Sequence, residues 1–116
     1  MPMFENKGQY LLMTPSEGYS VESYKKAIAE ARDLCEQYGL TKMLADVRRL
    51  DYPISAADRF EIGVEIANTF GAKIQFAILA PAAMINGLVE NAAVNRGGNV
   101  RAFSNMEEAK EWLGVK

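Results

Sequence analysis

The densest group of polar side chains in this sequence falls between residues 46 and 59. Carboxylates and guanidinium groups at such density pair with one another, bind anionic or protein partners, or transfer protons. Asp46 follows the apolar residues 43–45, so partial burial would require a partner such as Arg48. A structural ion pair is the favoured interpretation, and a ligand-binding or partner-binding site is the alternative, with the candidate residues Asp46, Arg48, Arg49, Ser55 and Asp58.

Ser55 has two interpretations of its own, because it stands just before a stretch of helical periodicity. A serine hydroxyl at a helix start accepts a hydrogen bond from a free backbone amide, and Asp58 has the spacing of a capping-box partner. The same position would also stabilise a phosphate group on the serine. Capping is favoured, and phosphorylation of Ser55 is the alternative.

The residue types missing from the chain exclude several kinds of catalytic site. There is no histidine and Cys35 is the only cysteine, which rules out disulfides, zinc-finger spacings and triads built on histidine. Cys35 shares the apolar side of a predicted helix with Ile28 and Ala31, which indicates a buried hydrophobe. An enzyme that uses Asp46 or Asp58 as a general acid or base ranks behind a binding protein, so we expect no catalytic residue and no metal.

A nucleotide cofactor is not expected either. Doubly wound nucleotide-binding folds carry a glycine-rich turn after the first strand, whereas residues 14–18 contain a single glycine. Gly97 and Gly98 follow a predicted helix and precede a predicted strand, which is typical of a helix stop and a turn. The sequence therefore predicts no cofactor.

Four strand-and-helix units are predicted to position these residues. The predicted strands are residues 9–14, 42–47, 74–80 and 99–103. The predicted helices begin at Ser20, Ser55, Pro81 and Ser104, and the first three of them end at Gly39, Gly71 and Gly97. Crossovers of this length favour a parallel sheet, so we expect one α/β domain over residues 1–116 with a mainly parallel sheet of four or five strands. The polar group then lies at the carboxyl edge, where ligands usually bind.

Positive and negative side chains are nearly balanced over the whole chain. Thirteen basic and fifteen acidic side chains give a net charge of -2, so no nucleic-acid partner is expected. The apolar runs are too short to span a bilayer and the first ten residues lack an apolar signal core, which predicts a cytoplasmic protein without membrane insertion.

Between residues 66 and 96 the only charges are Lys73, Glu90 and Arg96. A helix that is apolar on more than one side is either deeply buried or covered by a partner. We therefore predict a homodimer or an apolar ligand groove here. The candidate dimer contacts are Ile62, Ile66, Met84, Leu88, Asn91 and Asn95.

Four segments carry a family resemblance: 44–50 (LADVRRL), 53–60 (PISAADRF), 95–103 (NRGGNVRAF) and 108–113 (EAKEWL). Together they resemble bacterial SpoIIAA-like proteins of the STAS superfamily, a group also compared with lipid-binding Sec14 domains and without an assigned function. The resemblance implies a four-unit β-α superhelix. It also makes Ser55 the nearest counterpart of the serine that is phosphorylated in anti-sigma-factor antagonists, although this chain places residues 48–54 between the strand and that serine.

Two functional hypotheses follow. The first is a non-enzymatic protein-binding or regulatory module of STAS type. The alternative is a carrier that holds an apolar small molecule or lipid against the second and third helices, with the Arg48 and Arg49 region meeting a polar or anionic headgroup.

Overall fold

The computed structural model describes residues 3–15, 20–49, 55–85 and 87–116, and it describes Leu88 by its backbone alone. The dimer contact predicted for the Leu88 side chain lies outside the described residues, as does Asp51 of the polar group. Among the helices that are described, none is both long enough and apolar enough to cross a membrane.

The described residues form a five-stranded mixed sheet and four α-helices. The strands are β1 (Met3–Asn6), β2 (Leu11–Thr14), β3 (Lys42–Asp46), β4 (Gln75–Leu79) and β5 (Asn99–Phe103), and they lie side by side in chain order. The helices are α1 (Val21–Tyr38), α2 (Ala56–Phe70), α3 (Leu88–Val94) and α4 (Met106–Leu113). β1 pairs with β2 in the antiparallel direction and the other three pairings are parallel. The predicted α/β class, the mainly parallel sheet and the edge position of β5 are confirmed.

The two faces of the sheet carry separate cores because side chains alternate along each strand. On one face, β3 contributes Met43 and Ala45 to a large apolar cluster with α1 and α2. On the other face, Leu44 joins a smaller cluster with α4. Cys35 is buried in the large cluster as predicted, and burial raises the pKa of its thiol to about 11.

The first two helices begin and end where the sequence predicts. Ser20 forms a capping box with Ser23, and Gly39 ends α1 in the left-handed conformation at φ 69°. The Ser55 side chain accepts a hydrogen bond from the backbone amide of Asp58 at 3.1 Å, which makes Ser55 the cap of α2. The prediction for the last helix was wrong by one residue, since Asn105 caps α4 instead of Ser104.

The third predicted helix was also wrong in its extent. Residues Ala82–Met84 form a single 3-10 turn, Ile85 is extended, and α3 begins only at Leu88. Gly87 takes a left-handed conformation at φ 81°, which separates the two helical pieces. The described residues 81–85 and 87 therefore form an irregular wall before α3.

A close helix crossing holds α3 against α2. A Cβ atom added to Gly63 would lie 2.5 Å from the carbonyl oxygen of Val89 and 2.8 Å from the Cβ of Ala92. Only glycine permits this approach of two helix backbones. Gly63 thus fixes the distance between α2 and the wall that contains α3.

Candidate functional site

A cavity of about 90 Å³ lies between the sheet and the helices α1, α2 and α3. It is at the carboxyl ends of the parallel strands, the edge at which the sequence predicts a ligand site. Its lining is almost entirely apolar, and it is open to solvent on one side.

One row of side chains across four neighbouring strands forms the centre of the cavity floor, and Val47, Phe76 and Ala80 also contribute to the lining from the sheet. In the sheet register, Met13 pairs with Ala45, Ala45 with Ile78, and Ile78 with Ala102. All four line the cavity. Since the two alanines alternate with larger side chains, the row leaves room above Ala45 and Ala102 that no side chain of the floor fills.

The walls come from residues at helical spacing. Tyr24 and Ile28 face the cavity from one turn of α1, and Ile62 and Ile66 face it from one turn of α2. Side chains four residues apart lie on the same side of a helix, which is why each pair faces one cavity. The third wall is the irregular segment before α3, which contributes Met84 and Ile85 together with Val89 of α3.

Two charged residues, Arg59 and Glu90, also line the cavity, and both are half-buried. The guanidinium Nη1 of Arg59 donates a hydrogen bond of 3.4 Å to the backbone carbonyl of Met84, which links α2 to the third wall. The ion pairs within the described part of the chain involve neither Arg59 nor Glu90.

The predicted ion pair at the end of β3 is present. The Arg48 guanidinium contacts both carboxylate oxygens of Asp46, with Nε at 3.0 Å from one and Nη2 at 2.9 Å from the other. These hydrogen bonds lower the pKa of Asp46 below its usual range, although its partial burial acts in the opposite direction. Arg48 is therefore already engaged with a carboxylate.

The other predicted binding residues lie near this edge without entering the cavity. Arg49 is exposed, Ser55 is exposed while its hydroxyl caps α2, and Asp58 sits half-buried in the first turn of that helix. The cavity lining contains none of the five predicted binding residues, but it does contain Arg59 of the same polar group. Helical spacing was the available signal, because Arg59 lies three residues before Ile62 and seven before Ile66.

The predicted dimer contacts are divided between the interior and the surface. Ile62 and Ile66 are only 6% and 2% exposed, and both side chains face the cavity. Because α2 turns this stripe toward the sheet, the two side chains have little exposed surface left for a contact, and their part in a dimer stays a prediction. Met84 is half-buried in the cavity wall, whereas Asn91 and Asn95 are exposed on α3.

Comparison with known proteins gives neither a matching family model nor a match among curated proteins. Within the described ranges, no three cysteine, aspartate or glutamate side chains are grouped so as to hold a metal ion. The case for a function consequently rests on the geometry of the cavity.

Proposed function

We propose that this chain is a non-enzymatic binding module that holds the apolar part of a small molecule between its sheet and the helices α1, α2 and α3. The observation that carries the proposal is the apolar cavity of about 90 Å³ at the carboxyl edge of the sheet. A water molecule needs roughly 10–15 Å³ and two or more polar partners, and the lining offers ample space but few polar groups. Such a cavity favours an alkyl group over water.

The position of the cavity supports the same proposal. Open α/β sheets bind ligands outside the carboxyl ends of their strands, and small-molecule sites are concave and mainly apolar with few polar groups. Here the floor row includes the small side chains of Ala45 and Ala102, and the charged residues of the lining, among the described residues, are Arg59 and Glu90. The arrangement fits a ligand with one apolar end.

A protein-binding or regulatory role of STAS type is the second candidate, and a separate observation favours it. Phe60 on α2 and Val94 on α3 are 48% and 51% exposed, and the Arg96 guanidinium lies 4.9 Å from the centre of the Phe60 ring. Aromatic and arginine side chains are enriched in protein interfaces. The resemblance to SpoIIAA-like proteins belongs to the same proposal, and the run of parallel strands β2 to β5 with intervening helices supports it.

Titration with 1-hexanol, a neutral molecule with one short alkyl chain, tests the cavity as a binding site. We expect saturable binding by calorimetry that is lost in Ala102→Leu, since the added side chain would fill the space above the floor row. The matched control is Ala57→Leu, which places the same side chain on an exposed position of α2 outside the lining. Equal hexanol binding by both variants would contradict the proposal.

A further inference from the structure

Among the described residues, Arg59 is the only arginine that lines the cavity. It lies on the same side of α2 as Ile62, and its hydrogen bond to the Met84 carbonyl holds the guanidinium against the third wall. That bond is long, at 3.4 Å, and uses one of the five N–H donors of the group. The remaining donors have no carboxylate partner in the described part of the chain.

The neighbouring arginines are in a different situation. Arg48 is held by both oxygens of Asp46, and Arg49 is exposed and does not line the cavity. A half-buried guanidinium without a counter-charge is costly, and an anion brought by a ligand would remove that cost. The positive charge at this cavity is thus complementary to an anionic ligand group.

Glu90, the other charged residue of the lining, would instead attract a cationic ligand group. It lies in the first turn of α3, where the helix dipole already stabilises a carboxylate, so it has less need of a cationic ligand. Arg59 has no comparable support, because it lies near the positive end of α2. The balance therefore favours an anionic group.

The size of the cavity limits the apolar part of the ligand. A cavity of roughly 150 Å³ holds a benzene ring, and this one measures about 90 Å³. It therefore encloses part of a short alkyl chain and, because it is partly open to solvent, lets the rest extend outward. The planar guanidinium at its wall matches the two oxygens of a carboxylate.

From these observations we infer that the ligand is a short-chain alkyl carboxylate and that Arg59 binds its carboxylate while the alkyl chain occupies the cavity. This inference rests on the proposed function, and it assigns the headgroup to Arg59 instead of Arg48 and Arg49.

Three probes with the same alkyl chain separate the inference from the proposed function: hexanoate, 1-hexanol and hexylamine, each titrated near neutral pH. We expect hexanoate to bind about tenfold more tightly than hexanol, because a hydrogen bond between two charged groups is stronger than one to a neutral hydroxyl by about that factor in affinity. Equal affinity of hexanoate and hexanol would overturn the inference and leave the proposed function standing. Tightest binding by hexylamine would overturn it in favour of Glu90, and failure of all three probes would overturn both proposals.

Variants then locate the carboxylate. We expect Arg59→Gln to reduce hexanoate affinity to the level of hexanol while hexanol affinity stays within about twofold, and Arg59→Lys to retain part of the difference. Arg49→Gln is the matched control, because it removes an exposed arginine at the same edge, and it should leave all affinities unchanged. Unchanged hexanoate binding in a folded Arg59→Gln variant, checked by its urea midpoint, would contradict the inference.

Discussion

At the scale of single residues, Asp46 and Arg48 neutralise each other in an ion pair, so neither charge is free to bind a ligand. The side chain of Asp46 is 21% exposed and that of Arg48 is 46% exposed, so solvent screens the pair and its contribution to stability is modest. The sequence allowed prediction of this pair because an aspartate that directly follows apolar residues 43–45 needs a partner. Since a paired arginine is a poor anion receptor, the pairing of Arg48 weakens the case for a headgroup site at Arg48 and Arg49, and that site stays a prediction.

The pair predicts a defined pH dependence. Because the folded pKa of Asp46 is lowered, its stabilisation is present above the unfolded pKa and is lost as the pH falls through the folded pKa. We expect the difference in unfolding free energy between the wild type and Asp46→Asn to shrink as the pH falls below about 4. Urea unfolding over a pH series measures this difference.

The control for that series is Asp33→Asn. Asp33 also contacts an arginine, Arg32, but at 3.4 Å and with 69% of its side chain exposed. Its effect on stability should be small at every pH. A difference for Asp46→Asn that stays constant down to the lowest pH would contradict the assigned role of the Asp46 carboxylate.

Ser55 is expected to act mainly as a helix cap. Ser55→Ala removes the acceptor for the Asp58 amide and should lower the unfolding free energy by about 1 kcal/mol, whereas Ser55→Asp supplies another acceptor and should preserve most of it. Chemical denaturation of both variants measures the difference. Equal losses in the two variants would contradict the capping role. Stoichiometric phosphate on Ser55 in protein from its native host would favour the phosphorylation hypothesis instead.

At the scale of elements, the capping signals were the most informative part of the sequence. Serines at two helix starts and glycines at their ends placed α1 and α2, because these residues satisfy free backbone groups locally. The third helix was mispredicted because Pro81 is compatible with a helix start and because Gly87, which takes a left-handed conformation, was predicted to lie inside the helix. That misprediction matters, because the irregular segment is one wall of the cavity.

Gly63 gives the element-scale prediction. Alanine is ordinarily better than glycine inside a helix by about 1 kcal/mol, but here the new Cβ would meet the backbone of α3. We expect Gly63→Ala to lower the unfolding free energy by roughly 1–3 kcal/mol through overpacking. The control Asn68→Ala changes an exposed position of the same helix and should be neutral or slightly stabilising. Stabilisation by Gly63→Ala would show that the two helices separate easily.

At the scale of the whole molecule, the order of the strands in the sheet brings the floor residues of the cavity together. Met13, Ala45, Ile78 and Ala102 are distant in sequence and become one row only because β2 to β5 lie in chain order with this register. The sequence predicted an apolar groove near α2 and α3 from sparse charge, but not which side chains would form its floor. Register is a long-range property that local patterns do not specify.

The homodimer remains a prediction, now with fewer residues. With Ile62 and Ile66 turned inward, a contact through α3 would involve Asn91 and Asn95 together with the exposed Val94. Phe60 is also exposed, so the outer surface of α2 and α3 carries large apolar side chains that a protein partner would bury. None of these exposed residues lines the cavity, so a partner on this surface and a ligand in the cavity are separable by experiment.

The most direct test of the apolar cavity is to observe which side chains touch a bound alkyl chain. In protein with labelled methyl groups, nuclear Overhauser effects from saturating 1-hexanol should reach the methyl groups of Ile62, Ile66 and Met84, which line the cavity from two of its walls. Val94 serves as the internal control because it is exposed on the outer surface. Contacts to Val94 without contacts to Ile62, Ile66 or Met84 would contradict the proposed binding site.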